Sequence, residues 1–443
     1  MKVRLTGGYM SKKKCKYLIL GAGPAGLGFA NRLLELGETD FLVLEKEKEA
    51  GGLCRSMEVD GSPLDIGGGH FLDVRRPKVN EFLFRFMKEE EWDRYERDSR
   101  IQIGDDLVGH PLEANIWQMS LEKQVAYLKS IAIAGCNLGT PMPQEFVKWI
   151  YWKLGERIAE DYMIPYNRKM FGEELDRLGT YWLNKLPDVS FEETLLSCLT
   201  KKAYGTQPGH AEFYYPKKYG YGELWRRMAE RIGDRICCNT DINVIDFLTN
   251  TVSAAHTETC NGYERHQTCS RSNHSDSQYQ DSGHSDSYQG EIIVNTIPWT
   301  EFQELLGMPE KLQEKIRELK YSSVVIEYVP EGLHTKAHWI YYPEEALPYH
   351  RILVRHNFCP GADGYWTETN KKRAVHREDR FSYENKYAYP LNTIEKPEIM
   401  KEVLDWCRER KVFGLGRWGE WEHYNSDAVV ERAMELADSL WKA

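Results

Sequence analysis

No Cys-x-x-Cys pair occurs anywhere in the sequence. The 10 cysteines are scattered through 443 residues, so neither a redox dithiol nor a zinc ribbon is spelled out, and reduced thiols of a cytoplasmic protein are the expectation. Long apolar runs are missing too. The longest nearly apolar stretch, YLILGAGPAGLGFA, is interrupted by glycines and a proline and is too short to cross a bilayer. The opening MKVRLTGGYMSKKKCK has no apolar centre of the kind a secretory signal needs. Positive charge is not in excess: 58 Lys and Arg against 68 Asp and Glu leave a formal charge of −10. That excludes a nucleic-acid backbone binder, while a local basic pocket stays open.

One segment lacks aliphatic side chains altogether. Residues 256–290 are rich in Ser, His, Asp and Gln, and HSDS recurs at His274 and His284. Such a composition buries too little apolar surface to offset its ordering entropy. An extended or disordered loop is expected there, between the strand-like DINVIDFL and EIIVNTI. Cys260, His266, Cys269, His274 and His284 fit no zinc spacing, and no metal is expected. Aromatics, in contrast, are plentiful (26 Tyr, 13 Trp). They serve either a pocket or inter-domain packing.

What is present begins with a βαβ pattern. Residues 16–20 (KYLIL) read as a buried strand, GAGPAG as a turn, LGFANRLLELG as a helix and FLVLE as a second strand. Gly21, Gly23 and Gly26 make G-x-G-x-x-G. Gly21 allows the tight turn, Gly23 the approach of a pyrophosphate, and Gly26 the contact of helix with strand. Pro24 and Ala25 open the helix, whose N-terminus favours anions. Glu45 falls 19 residues after Gly26, where it can accept from an adenosine ribose, with Lys46 beside it. The bland alternative is a tight turn without a ligand. Farther on, VNEFLFRFMKE and LEKQVAYLKSIAIAG read as helices. SSVVIEYV, HWIYYP and RILVRHNF read as strands.

Two further glycine segments follow Glu45: GGLCRS (Gly51–Ser56) and LDIGGGHF (Leu64–Phe71). They resemble the elements that, in flavoproteins of the amine oxidase and glutathione reductase type, wrap the pyrophosphate and ribityl chain and run under the flavin. VNTIP and GLGRWGEW resemble later elements of the same superfamily. The resemblance implies FAD held by Gly52, Leu53, Arg55, Gly68, Gly69, His70, Val244, Thr296, Gly416, Arg417, Asn425 and Ser426. On this reading the glycines before His70 are bare so that an isoalloxazine can lie against the backbone, and the charge of His70 tunes the flavin. A histidine that merely caps the turn is the alternative. The implied fold is α/β (α+β overall). A discontinuous Rossmann-type FAD domain takes residues 1–75, 206–300 and 396–443, a helical domain 76–205, and an antiparallel-sheet substrate domain 301–395.

The rest of the chain resembles UDP-galactopyranose mutases, especially the eukaryotic type. HPLEANI, GERIAEDYMIPYNRKMFG, FYYPKKYGYGELW, HWIYYPEEALPYHR, YAYPLNT and GRWGEW match six family segments in order. The resemblance implies isomerisation without net redox change: a reduced flavin gives its electron pair to the anomeric carbon of a UDP-hexose, UDP leaves, and the sugar recloses with the other ring size. It implies that Arg351, Tyr341 and Tyr389 meet the diphosphate, Trp149 lines the nucleotide pocket, and Arg417 lies against the flavin. Asn167 of the PYN segment joins the site. Ile164 stands where the family has a second diphosphate arginine, Glu113 where it has glutamine, and His110 and His423 where it has tyrosines. A small-molecule substrate, with a nucleotide sugar as one candidate, and a reductant such as NADPH follow. An amine-oxidase-like hydride abstraction and a flavin-binding protein without turnover stay open beside the mutase reading. No nucleic-acid or membrane partner is expected.

Overall fold

A computed structural model describes residues 12–135, 137, 139–183, 186–205, 211–256 and 285–442. The glycine turn after Leu20 separates β1 (Lys12–Leu20) from α1 (Pro24–Glu35), and β2 (Phe41–Leu44) completes the βαβ unit. β1 and β2 pair in parallel, with Tyr17 opposite Phe41 and Leu20 opposite Leu44. Tyr17 to Leu20 are fully buried, as a parallel strand covered on both faces requires. Pro24 sits in the first turn of α1, where a missing N–H costs nothing.

β1 begins four residues before the expected start at residue 16. Its polar first half is held by backbone pairing with Ser287 to Gly290, which needs no apolar side chain. The same pairing corrects the expected loop at 256–290. The strand Ser285–Asn295 begins inside it and runs antiparallel to Thr251–His256. Residues 257–284, with the candidate Cys and His positions, lie outside the described residues.

This first sheet has eight strands and draws on distant parts of the chain. Ile236–Cys237, β2, β1, Ser285–Asn295, Thr251–His256, Thr240–Asp246 and Glu304–Leu306 follow one another, and Val412–Gly414 pairs with Ser285–Asn295. The C-terminal helix Ser426–Lys442 packs on α1 through Val430, Ala433 and Ala437, all fully buried.

A second, seven-stranded sheet faces the glycine turns. Its order is Ser382–Pro390, Tyr321–Val329, Tyr365–Asn370, Arg351–Val354, Trp339–Tyr341, Ser99–Ile103 and Asp106–Gly109. The last two strands come from a stretch expected to be helical. They form a hairpin because SRIQI and DLVG flank a Gly-Asp turn, and Trp339–Tyr341 gives Ser99–Ile101 a partner in parallel. Helices at Leu121–Gly135, Phe146–Ile158, Ile164–Phe171 and Phe191–Thr200 fill the rest of that stretch. Among the described residues no helix is long and apolar enough to cross a membrane, and no cluster of ligating side chains could hold a metal ion.

Candidate active site

The first glycine turn builds a dinucleotide cradle. Gly21 has φ +98°, and a methyl group there would stand 2.6 Å from Thr296 Oγ1. At Gly26 it would stand 2.0 Å from the Gly21 carbonyl oxygen, so α1 approaches β1 only because this side is bare. Gly23 differs: the nearest atom to its missing methyl is Gly52 Cα at 3.9 Å. No side chain caps α1, which leaves first-turn amides for an anion. Glu45 is buried and takes one backbone N–H per oxygen, from Ala22 at 2.7 Å and Glu47 at 2.9 Å. The remaining lone pairs are open to ribose hydroxyls.

Gly21, Gly23 and Glu45 line a cleft together with Pro24, Ala25, Lys46, Gly52, Leu53 and Arg55. Arg55 donates to the Gly52 carbonyl at 3.1 Å and to Tyr383 Oη at 2.9 Å. Thr296 lines it while donating to the Leu20 carbonyl, and Lys46 pairs with Glu301 at 3.2 Å. Gly416, φ +76°, lets the C-terminal turn close on Ala25, whose Cβ would lie 2.7 Å from a methyl there. Val244 is not brought to the cleft. It pairs with Ser253 and Glu304 inside its strand, and the chain beside Glu45 is instead Cys237 to Thr240, hydrogen-bonded to its backbone.

The missing side chains of the GGGH turn make room for protein atoms. A methyl on Gly67 would fall 1.8 Å from the Leu53 carbonyl oxygen, on Gly68 (φ +91°) 2.6 Å from Glu368 Oε1, and on Gly69 2.1 Å from Leu353 Cδ2. Protein atoms occupy all three missing-methyl directions, while the backbone of Gly67 and Gly69 also lines a cavity. The turn is seated on the second sheet, where Tyr341, Arg351 and Glu368 are direct neighbours in one row and Trp339, Leu353 and Trp366 in the next. Glu368 is the centre of this seat. It accepts the Gly69 N–H at 3.2 Å, pairs with Arg351, and lies 3.6 Å from His350 Nε2. Burial would raise its pKa, but the Arg351 guanidinium outweighs it and holds the carboxylate down to about 2.

A second cavity opens on the other side of this turn. It meets the dinucleotide cleft at His70, Arg417 and Ser426, which line both. His70 Nδ1 lies 3.0 Å from the Gly68 carbonyl. A carbonyl only accepts, so Nδ1 carries the proton and Nε2 is left as an acceptor. Burial, then the charges of Arg417 and Arg351, lower its pKa to about 4. The expected charge on His70 is therefore absent near neutrality, and the ring acts as a hydrogen-bonding group stacked on Tyr221 at 6.3 Å. Arg417 donates to the carbonyls of Ala388 (3.0 Å) and Tyr424 (3.1 and 2.8 Å). Ser426 Oγ bonds Tyr221 Oη at 2.6 Å.

Arg351, Tyr341, Tyr389, Asn425 and His423 line the second cavity, and Tyr389 lies against His423 with ring centres 5.3 Å apart. Trp149 and Asn167 do not. Trp149 stacks on Phe146 in the helical core, and Asn167 turns back to the Met163 carbonyl at 2.7 Å. The helix of Asn167, Ile164–Phe171, instead presents Tyr166 and Met170. Ile164, partly buried, packs against the core, and Glu113 is half-buried with Lys153 and Asp188 as its charged neighbours; neither lines the cavity. Arg97, which the motifs did not reveal, lines the cavity with Arg351 and Arg417. Among the described residues no Asp or Glu lines it.

Residues 19–86 match the family of NAD(P)-binding Rossmann-like domains. Over 144 residues, 29% of the chain, the sequence is 24% identical to a Baeyer-Villiger monooxygenase of Pseudomonas aeruginosa. Over 52 residues, 12% of the chain, it is 50% identical to an uncharacterized protein in the nifH2 3' region of Methanothermococcus thermolithotrophicus. These matches span 26% and 49% of the relatives' own lengths. The structure of reduced UDP-galactopyranose mutase superposes with TM-score 0.82 at 20% identity, covering 97% of this chain and 94% of that one. Cyclohexylamine oxidase from Brevibacterium oxydans superposes at 0.62 with 12% identity, covering 97% and 99%. The chain thus has the mutase and amine-oxidase fold: a Rossmann-like domain joined to a sheet-walled cavity.

Proposed function

We propose that this protein is an FAD-dependent enzyme that acts on a nucleotide sugar through the reduced flavin, as a UDP-galactopyranose mutase does. The observation that carries the reading is the junction of the two cavities at His70, Arg417 and Ser426, with three guanidiniums and, among the described residues, no carboxylate lining the second. Buried cations select an anion, and an arginine fork matches a phosphate. The same charges oppose a protonated amine, which weighs against amine oxidation.

The dinucleotide cleft fits FAD: open space over Gly23, uncapped amides at α1, and Glu45 with lone pairs to spare. Bound there in its reduced form, FAD supplies an electron pair for attack on an anomeric carbon. The protein's own part is electrostatic and geometric. Arg417, fixed by the carbonyls of Ala388 and Tyr424, favours negative charge at the junction. His70 Nε2 offers an acceptor at the same point. Arg351, steadied by Glu368, and the hydroxyls of Tyr341 and Tyr389 hold the leaving diphosphate. Tyr166 and Trp339 wall the cavity and exclude water.

The test is direct. The purified protein is expected to show a flavin spectrum. After reduction by dithionite or NADPH it should convert UDP-galactofuranose to UDP-galactopyranose, with no conversion by the oxidised protein. Absence of both conversion and UDP binding would remove the reading. Peroxide release with an amine or alcohol panel would replace it by an oxidase.

A further inference from the structure

Two of the groups that line both cavities, His70 and Ser426, are held by one tyrosine. Tyr221 is fully buried at the N-cap of the helix Gly222–Ile232. Its ring stacks on His70 with the planes 11° apart, and it meets Trp92 and Trp225 edge to face at 6.2 and 5.8 Å. Its N–H donates to Asp65 Oδ1 at 3.2 Å, an atom that also takes the Ser56 hydroxyl. Its own hydroxyl lies 2.6 Å from Ser426 Oγ. Ring, backbone and hydroxyl are thus each fixed by a separate contact. Tyr221 itself lines neither cavity.

Which of the two hydroxyls donates follows from burial. Burial pushes the Tyr221 phenol well above its ordinary range, so the proton stays on the oxygen. Among the described residues, Ser426 is the hydrogen-bond partner of that phenol. If Ser426 donated instead, the phenolic proton would be left unpaired inside the protein, which is costly. Tyr221 therefore donates and Ser426 Oγ accepts. The serine keeps its own proton, and among the described residues no other protein group takes it. That O–H is left for an acceptor in the space where the two cavities meet.

Two features suit this donor to an acceptor that carries negative charge. Arg417 lines the same junction, and a hydrogen bond to an ionised acceptor is the stronger kind. Hydroxyls linked in a chain also polarise one another, so the last proton is a better donor than that of an isolated serine. A two-electron-reduced flavin holds negative charge on its ring that the oxidised form lacks, and hydrogen bonds to the ring tune that balance.

We propose that Tyr221 is a positioning residue for the cofactor: by donating to Ser426 Oγ it turns the serine O–H toward an acceptor atom of the flavin ring, and so favours the reduced, anionic flavin over the oxidised one. The inference rests on the part of the reading above that sets FAD in the cleft with its ring at the junction. It does not depend on the identity of the substrate.

The experiment measures the midpoint potential of the bound flavin against a reference dye, together with the Kd of the apoprotein for oxidised FAD. The proteins are wild type, Tyr221→Phe, Ser426→Ala and the double variant. Phenylalanine keeps the ring against His70 and removes only the hydroxyl. Ser426→Ala is expected to lower the preference for reduced over oxidised flavin about tenfold, which for a two-electron couple is a potential about 30 mV lower. Tyr221→Phe should lower it about threefold or more, since the serine keeps its proton but loses its orientation. The double variant should match Ser426→Ala, because Tyr221 acts through that hydroxyl. A merely structural role would weaken oxidised and reduced FAD alike and leave the potential unmoved, and that outcome overturns the proposal. So does a change of less than twofold in either single variant, or losses that add in the double variant. If Tyr221→Phe does not fold, 3-fluorotyrosine at position 221, a stronger donor, decides: the potential should rise, and no rise overturns the role. Failure of the wild-type apoprotein to bind FAD removes the cofactor reading itself. Normal FAD binding with unmoved potentials removes only the part given to Tyr221 and Ser426.

Discussion

At Gly67 a methyl group would stand 1.8 Å from the Leu53 carbonyl oxygen, whereas at Gly23 the nearest atom would be 3.9 Å away. The first is bare for packing and the second for a ligand. Gly67→Ala must displace backbone, so it should cost several kcal/mol (about 4 or more) and yield little soluble protein. Gly23→Ala should leave apoprotein stability within about 0.5 kcal/mol and yet lower the flavin retained on purification. Melting curves and flavin-to-protein ratios check both, and a Gly23→Ala protein that keeps its full flavin would deny the cleft its pyrophosphate. Asp65 gives a second residue-scale expectation. It is fully buried, and burial pushes its carboxyl up to about 7 against hydrogen bonds from Ser56, the Tyr221 N–H and Tyr215. An unfolded aspartate titrates near ~3.9. Between roughly pH 4 and 7 the unfolded chain releases a proton that the folded chain keeps, so this group makes stability fall as pH rises, levelling above 7. Asp65→Asn should remove that slope from a plot of Tm against pH, and an unchanged slope would disprove the assignment. LDIGGGHF announces a close approach in the sequence. It does not say what approaches, because Leu53, Leu353 and Glu368 reach the turn from elsewhere in the chain.

Elements formed by local pattern were legible, and those formed by register were not. The βαβ unit around Gly21, Gly23 and Gly26 is contained in one short stretch whose turn, helix and acid each carry a signal. The hairpin Ser99–Gly109 carries none as strong, since its place in the second sheet depends on Trp339–Tyr341. Glu368 reads as an ordinary strand glutamate until pairing sets it opposite Arg351. Arg97 likewise needs Tyr341 and Trp339 to gain a meaning. At this scale Lys169 is the testable joint. Buried in the helix Ile164–Phe171, it donates to the carbonyls of Tyr342 (2.7 Å) and Glu344 (2.8 Å). It thereby ties the helix that presents Tyr166 to the segment that follows Tyr341. Lys169→Met keeps the length but strips the Tyr342 carbonyl of this donor and leaves the Glu344 carbonyl the Leu347 N–H at 3.3 Å, at a cost of about 1–3 kcal/mol. The expected result is a lower Tm and a higher KM with less change in kcat. A variant with unaltered Tm would show that the joint bears no load.

The whole molecule carries a formal charge of −10, yet it gathers Arg97, Arg351 and Arg417 around one cavity. Such a concentration persists only where the fold holds the cations in place, and the dinucleotide cleft is part of that hold. Its walls come from Gly21 to Arg55, from Thr296 to Pro298 and from Arg417 to Val429, segments that meet only in the assembled protein. A ligand spanning them binds the folded chain and not the unfolded one. It stabilises by RT ln(1 + [L]/Kd), about 2.7 kcal/mol at a hundredfold excess over Kd. FAD should therefore raise Tm steadily with the logarithm of its concentration and slow proteolysis of the C-terminal helix Ser426–Lys442, which begins at the cavity junction. ADP provides the contrast. It reaches the amides of α1 and Glu45 but is too short to engage Arg417 and Ser426 as well, so at equal saturation it should protect the first βαβ unit and leave the C-terminal helix as open to cleavage as in the apoprotein. Equal protection of that helix by ADP and FAD would mean that the isoalloxazine end does not lie at the junction of the two cavities.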